Sequence, residues 1–176
     1  MAHGLILGMT ESGKTTLAKK LARDFKASGI GVIVLDPMHD PNWVCDFKTD
    51  NQEKFLDVLW RSKSCAVFID EAGEAVGRYA ELMHRTATKG RHWGHRCFYI
   101  AQRITQIAPL VRDQCSHLFL FNSSLGDSKI HANEWNHKEL EQAFTLRQGE
   151  YFYCTRYSPV RKYFALDFVT KTNLKS

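Results

Sequence analysis

The chain has 176 residues, a formal net charge of +5 and 44% hydrophobic residues. That length points to one domain, the mix of apolar and charged residues is that of a globular protein, and no apolar run approaches the ~18 residues of a membrane span. The opening MAHGLILG is too short and too poor in charge for a signal peptide, and the five cysteines, with no C-x-x-C among them, read as free thiols in a reducing compartment.

In chain order, residues 4–8 are an apolar run ending in glycine and read as a buried strand. Leu17, Leu21 and Phe25 recur at helical spacing over 14–28, and Gly29 closes that helix. A second strand covers 30–36, and a loop broken by Pro37 and Pro41 follows. Asp50 with Glu53 forms a capping box for a helix through about Lys63. Strands at 65–70, 97–101 and 117–121 alternate with helices at about 74–88 and 104–113. Asn136 with Glu139 caps a further helix over 137–146, and 150–155 with 161–168 reads as a closing hairpin before a frayed tail at 169–176. Strands alternating with helices give an α/β fold with a mainly parallel central sheet, flanked by helices and ending in a β-hairpin. The expected core spans about 4–125, and a C-terminal helix and hairpin occupy about 127–168 of one domain, 1–176.

The chemistry begins at GMTESGKTT. Gly8, Met9, Thr10, Glu11, Ser12, Gly13, Lys14 and Thr15 fit G-x-x-x-x-G-K-[ST], with Thr16 following, between a strand and a helix. In such a loop the backbone N–H groups curl around phosphate at a helix N-terminus, Lys14 reaches the outer phosphates and Thr15 takes a Mg²⁺ ion. The motif reads a triphosphate and leaves the choice between ATP and other nucleotides open.

CAVFIDEAGE places Asp70 and Glu71 at the end of the third predicted strand. Asp70 there would hold Mg²⁺, partly through water, and Glu71 would polarise an attacking water. CFYIAQR ends the next strand in Gln102 and Arg103, at the strand edge where ligands of parallel sheets bind, so Gln102 would touch the γ-phosphate or the lytic water. Between Glu81 and Asp113 there is no acidic residue, while Arg85, Lys89, Arg91, Arg96, Arg103 and Arg112 all fall there. Such a run suits phosphate, in a nucleic acid or in a neighbour's nucleotide. His92-x-x-His95 beside Cys97 has no second cysteine pair and reads as a turn, not a zinc site.

As a set, Gly8–Thr15, Asp36–Pro37, Asp70–Glu71 and Gln102–Arg103 resemble the HerA/FtsK superfamily of P-loop ATPases, RecA-like and of the additional-strand class. The chain is most similar in scale to the genome-packaging ATPases of tailless, internal-membrane viruses of the tectivirus type. The resemblance implies an ATPase using ATP and Mg²⁺, a homo-oligomeric ring, often a hexamer, and translocation of double-stranded DNA. It further implies viral capsid or membrane-vertex partners, no membrane span of its own, and a place in the host cytoplasm or the virion. An arginine of one subunit would complete the neighbour's site. Arg91 is the first candidate, Arg85 and Arg103 are weaker ones, and Arg112 lies behind them. The segment from Arg85 to Arg103 is also the candidate DNA contact. Two alternatives stand beside this reading. A nucleoside-type kinase also pairs this loop with IDEA but carries zinc-binding cysteine pairs absent here, and a Zot-like phage export ATPase usually adds a transmembrane segment.

Overall fold

In a computed structural model of the chain, residues 3–72 and 80–165 are described. The five apolar runs predicted as strands form the middle of one sheet. They are β1 (His3–Leu7), β2 (Val32–Leu35), β4 (Ala66–Ile69), β5 (Arg96–Ala101) and β6 (Cys115–Phe121). A short β3 (Phe47–Thr49) flanks β2, and the hairpin β7 (Glu150–Thr155) and β8 (Arg161–Phe164) follows β6. The order is β3-β2-β4-β5-β1-β6-β7-β8, parallel from β3 to β6 and antiparallel beyond. Consequently β5 lies between β1, which carries the P-loop, and β4, which carries the acidic pair.

Side chains alternate across the strands, so the sheet has two apolar faces. Ile6, Val34, Phe68, Phe98 and Ile100 pack under α1 (Lys14–Ala27) through Leu17, Ala18 and Ala22. Leu5, Leu7, Ile33, Val67, Ile69 and Tyr99 face the other way. There they meet Phe55 and Leu59 of α2 (Gln52–Arg61), and Ala132 and Trp135 of a later helix. Two histidines are built into the strand N-terminal edge as neutral rings. His3 accepts from the Cys97 amide at Nδ1, and its Nε2 bonds the Ala87 carbonyl. His95 accepts from the Cys65 amide and bonds the Leu59 carbonyl, so both its nitrogens are used and it is not a zinc ligand.

Several local expectations are corrected. Asn51, not Asp50, caps α2, because the Asn51 side chain accepts from the Lys54 amide, and the helix ends at Arg61. The helix expected over 104–113 splits at Pro109 into a 3-10 turn (Ile104–Gln106) and α4 (Pro109–Asp113). Residues Lys138–Thr145 form a 3-10 helix, and Asn136, expected as its cap, instead terminates α5 (Leu125–Trp135) in the left-handed conformation. The helix predicted from residue 74 is described from α3 (Ala80–Thr88) onward. Its first turns, the end of the hairpin and the tail at 169–176 lie outside the described residues. No helix among the described residues is long and apolar enough to cross a membrane.

Candidate nucleotide site

The P-loop leaves β1 and is pinned on both sides. The Gly8 amide donates to the Ala101 carbonyl of β5, and the Met9 amide to the Asn122 carbonyl after β6. Gly13 adopts φ 113°, a conformation that L side chains rarely reach, and hands the chain into α1 at Lys14. No side chain caps α1 and no acid lies in its first turn. Its orphan N–H groups and the positive end of its dipole are therefore available to an anion. Lys14 is buried and donates from Nζ to the Met9 carbonyl at 2.7 Å, spanning the loop from within. Burial holds its ammonium below the usual value, against the opposing pull of Glu71 and Asp70.

Asp70 follows the last residue of β4 and is 6% exposed. Burial pushes its carboxyl up to about 6, with the negative charges of Glu71 and Asp36 adding to the rise and the Glu71 amide, 3.0 Å from Oδ1, opposing it. Glu71 sits at φ 50°, a turn that breaks the strand direction immediately after Asp70. Asp36 follows β2 beside them, nearly fully buried, and is paired to Lys48 at 3.6 Å. Three carboxylates thus gather at neighbouring strand tips. No group of three or more metal-ligating side chains is found among the described residues. Mg²⁺ takes only one or two carboxylates and fills its other positions with phosphate oxygens and water, so Asp70 and the Thr15 hydroxyl are the groups that could hold it.

The end of β5 delivers Gln102 and Arg103 to a cleft of about 380 Å³ whose far wall is Met9 and Thr10 of the P-loop and Ser124 and Asp127 of the α5 entrance. Gln106 accepts both the Gln102 and Arg103 amides, which sets the turn. The Arg103 guanidinium is held by both oxygens of the buried Asp127 carboxylate at 3.0–3.3 Å. The acid-free basic run does not form one face. Arg85, Lys89, Arg91 and His92 are exposed at the N-terminal end of β5, and Arg103 lies beyond its C-terminal end. The six residues of that strand separate the two by about 20 Å. Arg91 donates to the Gln114 carbonyl, and Arg112 is paired to Glu134 at 2.8 Å.

One part of the site has no motif. Residues 148 and 149, in the turn before β7, clamp the P-loop. Gln148 donates to the Glu11 carbonyl at 3.0 Å and the Gly149 amide donates to the Ser12 carbonyl at 2.9 Å. Glu11 (φ 61°) and Ser12 thus expose their carbonyls to the hairpin, a role unconnected with their side chains. Between loop and hairpin lies a cleft of about 620 Å³, walled by Gly13 to Thr16 on one side and by Gln148, Gly149, Phe164 and Ala165 on the other. The only sequence signal for this contact was a glycine ahead of a strand, which any hairpin also uses.

No family model and no curated protein sequence matches the chain. Solved structures do. The genome-packaging NTPase B204 of Sulfolobus turreted icosahedral virus 2, solved with AMPPCP, superposes with a TM-score of 0.76 at 17% identity, over 92% of this chain and 96% of that one. The pCW3 conjugation coupling protein TcpA, with ATPγS, has a TM-score of 0.72 at 16% identity, over 99% of this chain and 64% of that one. VirB4 of Thermoanaerobacter pseudethanolicus has a TM-score of 0.70 at 12% identity, over 92% and 88%. The chain therefore has the P-loop ATPase fold that its own motifs and strand order describe, in the form shared by a viral packaging NTPase, a conjugation coupling protein and VirB4.

Proposed function

We propose that this chain is an Mg²⁺-dependent ATPase that drives translocation of double-stranded DNA, as a genome-packaging motor of HerA/FtsK type. The carrying observation is the place of β5. It is inserted between β1 and β4, and its end meets Met9 and Thr10 of the P-loop through Gln102 and Arg103 while the adjacent strand ends in Asp70–Glu71, which supports the reading as a hydrolysing motor. Lys14 and the uncapped α1 N-terminus bind the phosphates. Thr15 and Asp70 would hold Mg²⁺, which when bound would supply positive charge to the phosphates. Glu71 orients the attacking water and Gln102 contacts the γ-phosphate.

The exposed cations at the opposite strand edge, Arg85, Lys89 and Arg91, are too far to serve their own P-loop. In a ring they face a neighbour or the DNA backbone, with Arg91 the arginine supplied in trans. Arg103, tied to Asp127 in its own chain, serves its own site. Such a motor works in the host cytoplasm or on the virion, with capsid or vertex proteins as partners.

The test is nucleotide turnover with and without double-stranded DNA. Stimulation by DNA is expected, lost in Glu71→Gln while nucleotide binding persists. Phosphate transfer to a nucleoside, or turnover indifferent to DNA and to Arg91→Ala, overturns the proposal.

A further inference from the structure

The strand order divides the surroundings of the P-loop. The carboxylates after β4 lie on one side of β1 and the hairpin beyond β6 lies on the other, while Gln102 and Arg103, at the end of β5, reach the P-loop at Met9 and Thr10 and meet Ser124 and Asp127 after β6. None of Asp70, Glu71 and Gln102 lines the larger cleft. A triphosphate seated on the loop with its terminal phosphate toward Glu71 and Gln102 must therefore leave toward the hairpin, and that cleft is the size of small-molecule sites.

The chemistry of the hairpin wall is one-sided. Its polar groups are turned inward to the protein: the Gly149 amide to Ser12, the Gln148 side-chain amide to Glu11, and the Ala165 amide to the Gly149 carbonyl at 2.7 Å. Among the described residues, what remains toward the cleft on this wall is the Phe164 ring with Ala165 and the Gly149 backbone, beside the exposed Gln148 side chain whose amide nitrogen is engaged by Glu11. The ring lies directly against the Gly149 backbone, where a Cβ (φ 85°) would fall 2.7 Å from it. The hairpin behind it is held by the stacked rings of Tyr151 and Tyr163, 5.7 Å apart. The other polar residues lining the cleft, Glu11, Lys14, Thr15 and Thr16, belong to the phosphate loop and the start of α1.

We propose that the wall formed by Gln148, Gly149, Phe164 and Ala165 is the nucleoside subsite, and that it grips the base by apolar contact with Phe164 without reading its hydrogen-bonding edge. Purine and pyrimidine nucleoside triphosphates are then all ligands. This rests on the P-loop reading above. A pocket that reads a base through buried hydrogen bonds discriminates by about 10⁴-fold or more, whereas an apolar wall separates similar ligands by roughly 10–200-fold.

The experiment is calorimetric titration of the full chain, with Mg²⁺, using ATP, GTP, CTP and inorganic tripolyphosphate. The three nucleotides are expected to bind within about tenfold of one another, and each at least about tenfold more tightly than tripolyphosphate. Phe164→Ala should remove most of that nucleotide advantage and leave tripolyphosphate binding unchanged, which also shows that the variant is folded. Phe164→Tyr should retain the advantage. Equal binding of tripolyphosphate and ATP, an unaffected Phe164→Ala, or a preference above about 10³-fold for one base overturns the subsite. Failure of every ligand, tripolyphosphate included, or binding indifferent to Lys14→Ala, overturns the P-loop reading itself.

Discussion

Gln148 donates its side-chain amide to the backbone carbonyl of Glu11 at 3.0 Å, joining the C-terminal hairpin to the phosphate loop across 137 residues of sequence. The amide of the next residue, Gly149, adds a second bond to Ser12. The loop that must present its N–H groups to an anion is thereby held from outside by a segment with no motif of its own, and its geometry depends on the hairpin being folded.

Gly149→Ala should loosen this clamp more than Gln148→Ala. Alanine at φ 85° costs about 1–2 kcal/mol, and its Cβ collides with Phe164. A fall in Tm of roughly 5 °C is expected, with nucleotide affinity falling in parallel. Gln148→Ala loses one exposed hydrogen bond, about 1 kcal/mol at most, and should shift affinity a few-fold with little change in Tm. Thermal melts with and without nucleotide check both.

Asp70 should make nucleotide binding with Mg²⁺ pH-dependent. Burial raises its carboxyl from 3.8 to about 6, so below pH 6 it is protonated and must release a proton to take a cation. Affinity for Mg²⁺-nucleotide should fall as pH drops from 7 to 5, and Asp70→Asn should flatten the profile. The same shift has the opposite sign for the nucleotide-free fold. A raised pKa stabilises below the unfolded value and is lost as pH rises through 6, by roughly 3 kcal/mol. Asp70→Asn should therefore be more stable than the parent at pH 7 in the absence of nucleotide, measured by urea melts.

His3 and His131 should set the acid limit of the fold. Burial lowers both to about 4, with Arg91 reinforcing the effect at His3, and Arg112 reinforcing it but Asp127 opposing it at His131. A depressed histidine stabilises above its unfolded pKa of 6.5 and loses that contribution as pH falls toward 4, by up to roughly 3 kcal/mol each. The slope of unfolding free energy against pH between 6.5 and 4 should be shallower in His131→Gln than in the parent.

Asp127 should act on turnover through Arg103. Its carboxylate holds the guanidinium in a two-oxygen grip and also caps the entrance of α5 with Ser124. Asp127→Asn should lower kcat by roughly tenfold to a hundredfold with KM little changed, because positioning fails while phosphate binding does not. Asp127→Glu should recover part of the loss. An unchanged kcat would leave the pair a structural contact only.

The elements that were legible in the sequence are those whose burial is mainly apolar. β2 and β4 are continuous hydrophobic runs, β1, β5 and β6 carry such runs at 5–7, 97–101 and 118–121, and α1 repeats Leu17, Leu21 and Phe25 at helical spacing. α5 escaped because its buried stripe is Asp127, Ser128, His131, Ala132 and Trp135, a helical period written mostly in polar residues. β3 escaped because three half-buried residues, Phe47 to Thr49, are too few to show alternation; the strand is held by the Asp46 carboxylate on the Val32 amide and by the Asp36 amide on the Thr49 carbonyl.

Local chemistry by itself determined the phosphate loop, the acidic pair and the glutamine-arginine strand end, because each is a short run whose residue types are dictated by the group it must meet. Which strand lies beside which was decided only in three dimensions. That neighbourhood separates Arg91 from Arg103 by the length of β5, binds Arg103 to Asp127, and brings Gln148, Gly149 and Phe164 to the loop at Glu11 and Ser12. Those contacts join residues far apart in the chain through backbone carbonyls and an apolar ring, groups every protein carries, and so they leave no pattern in the sequence.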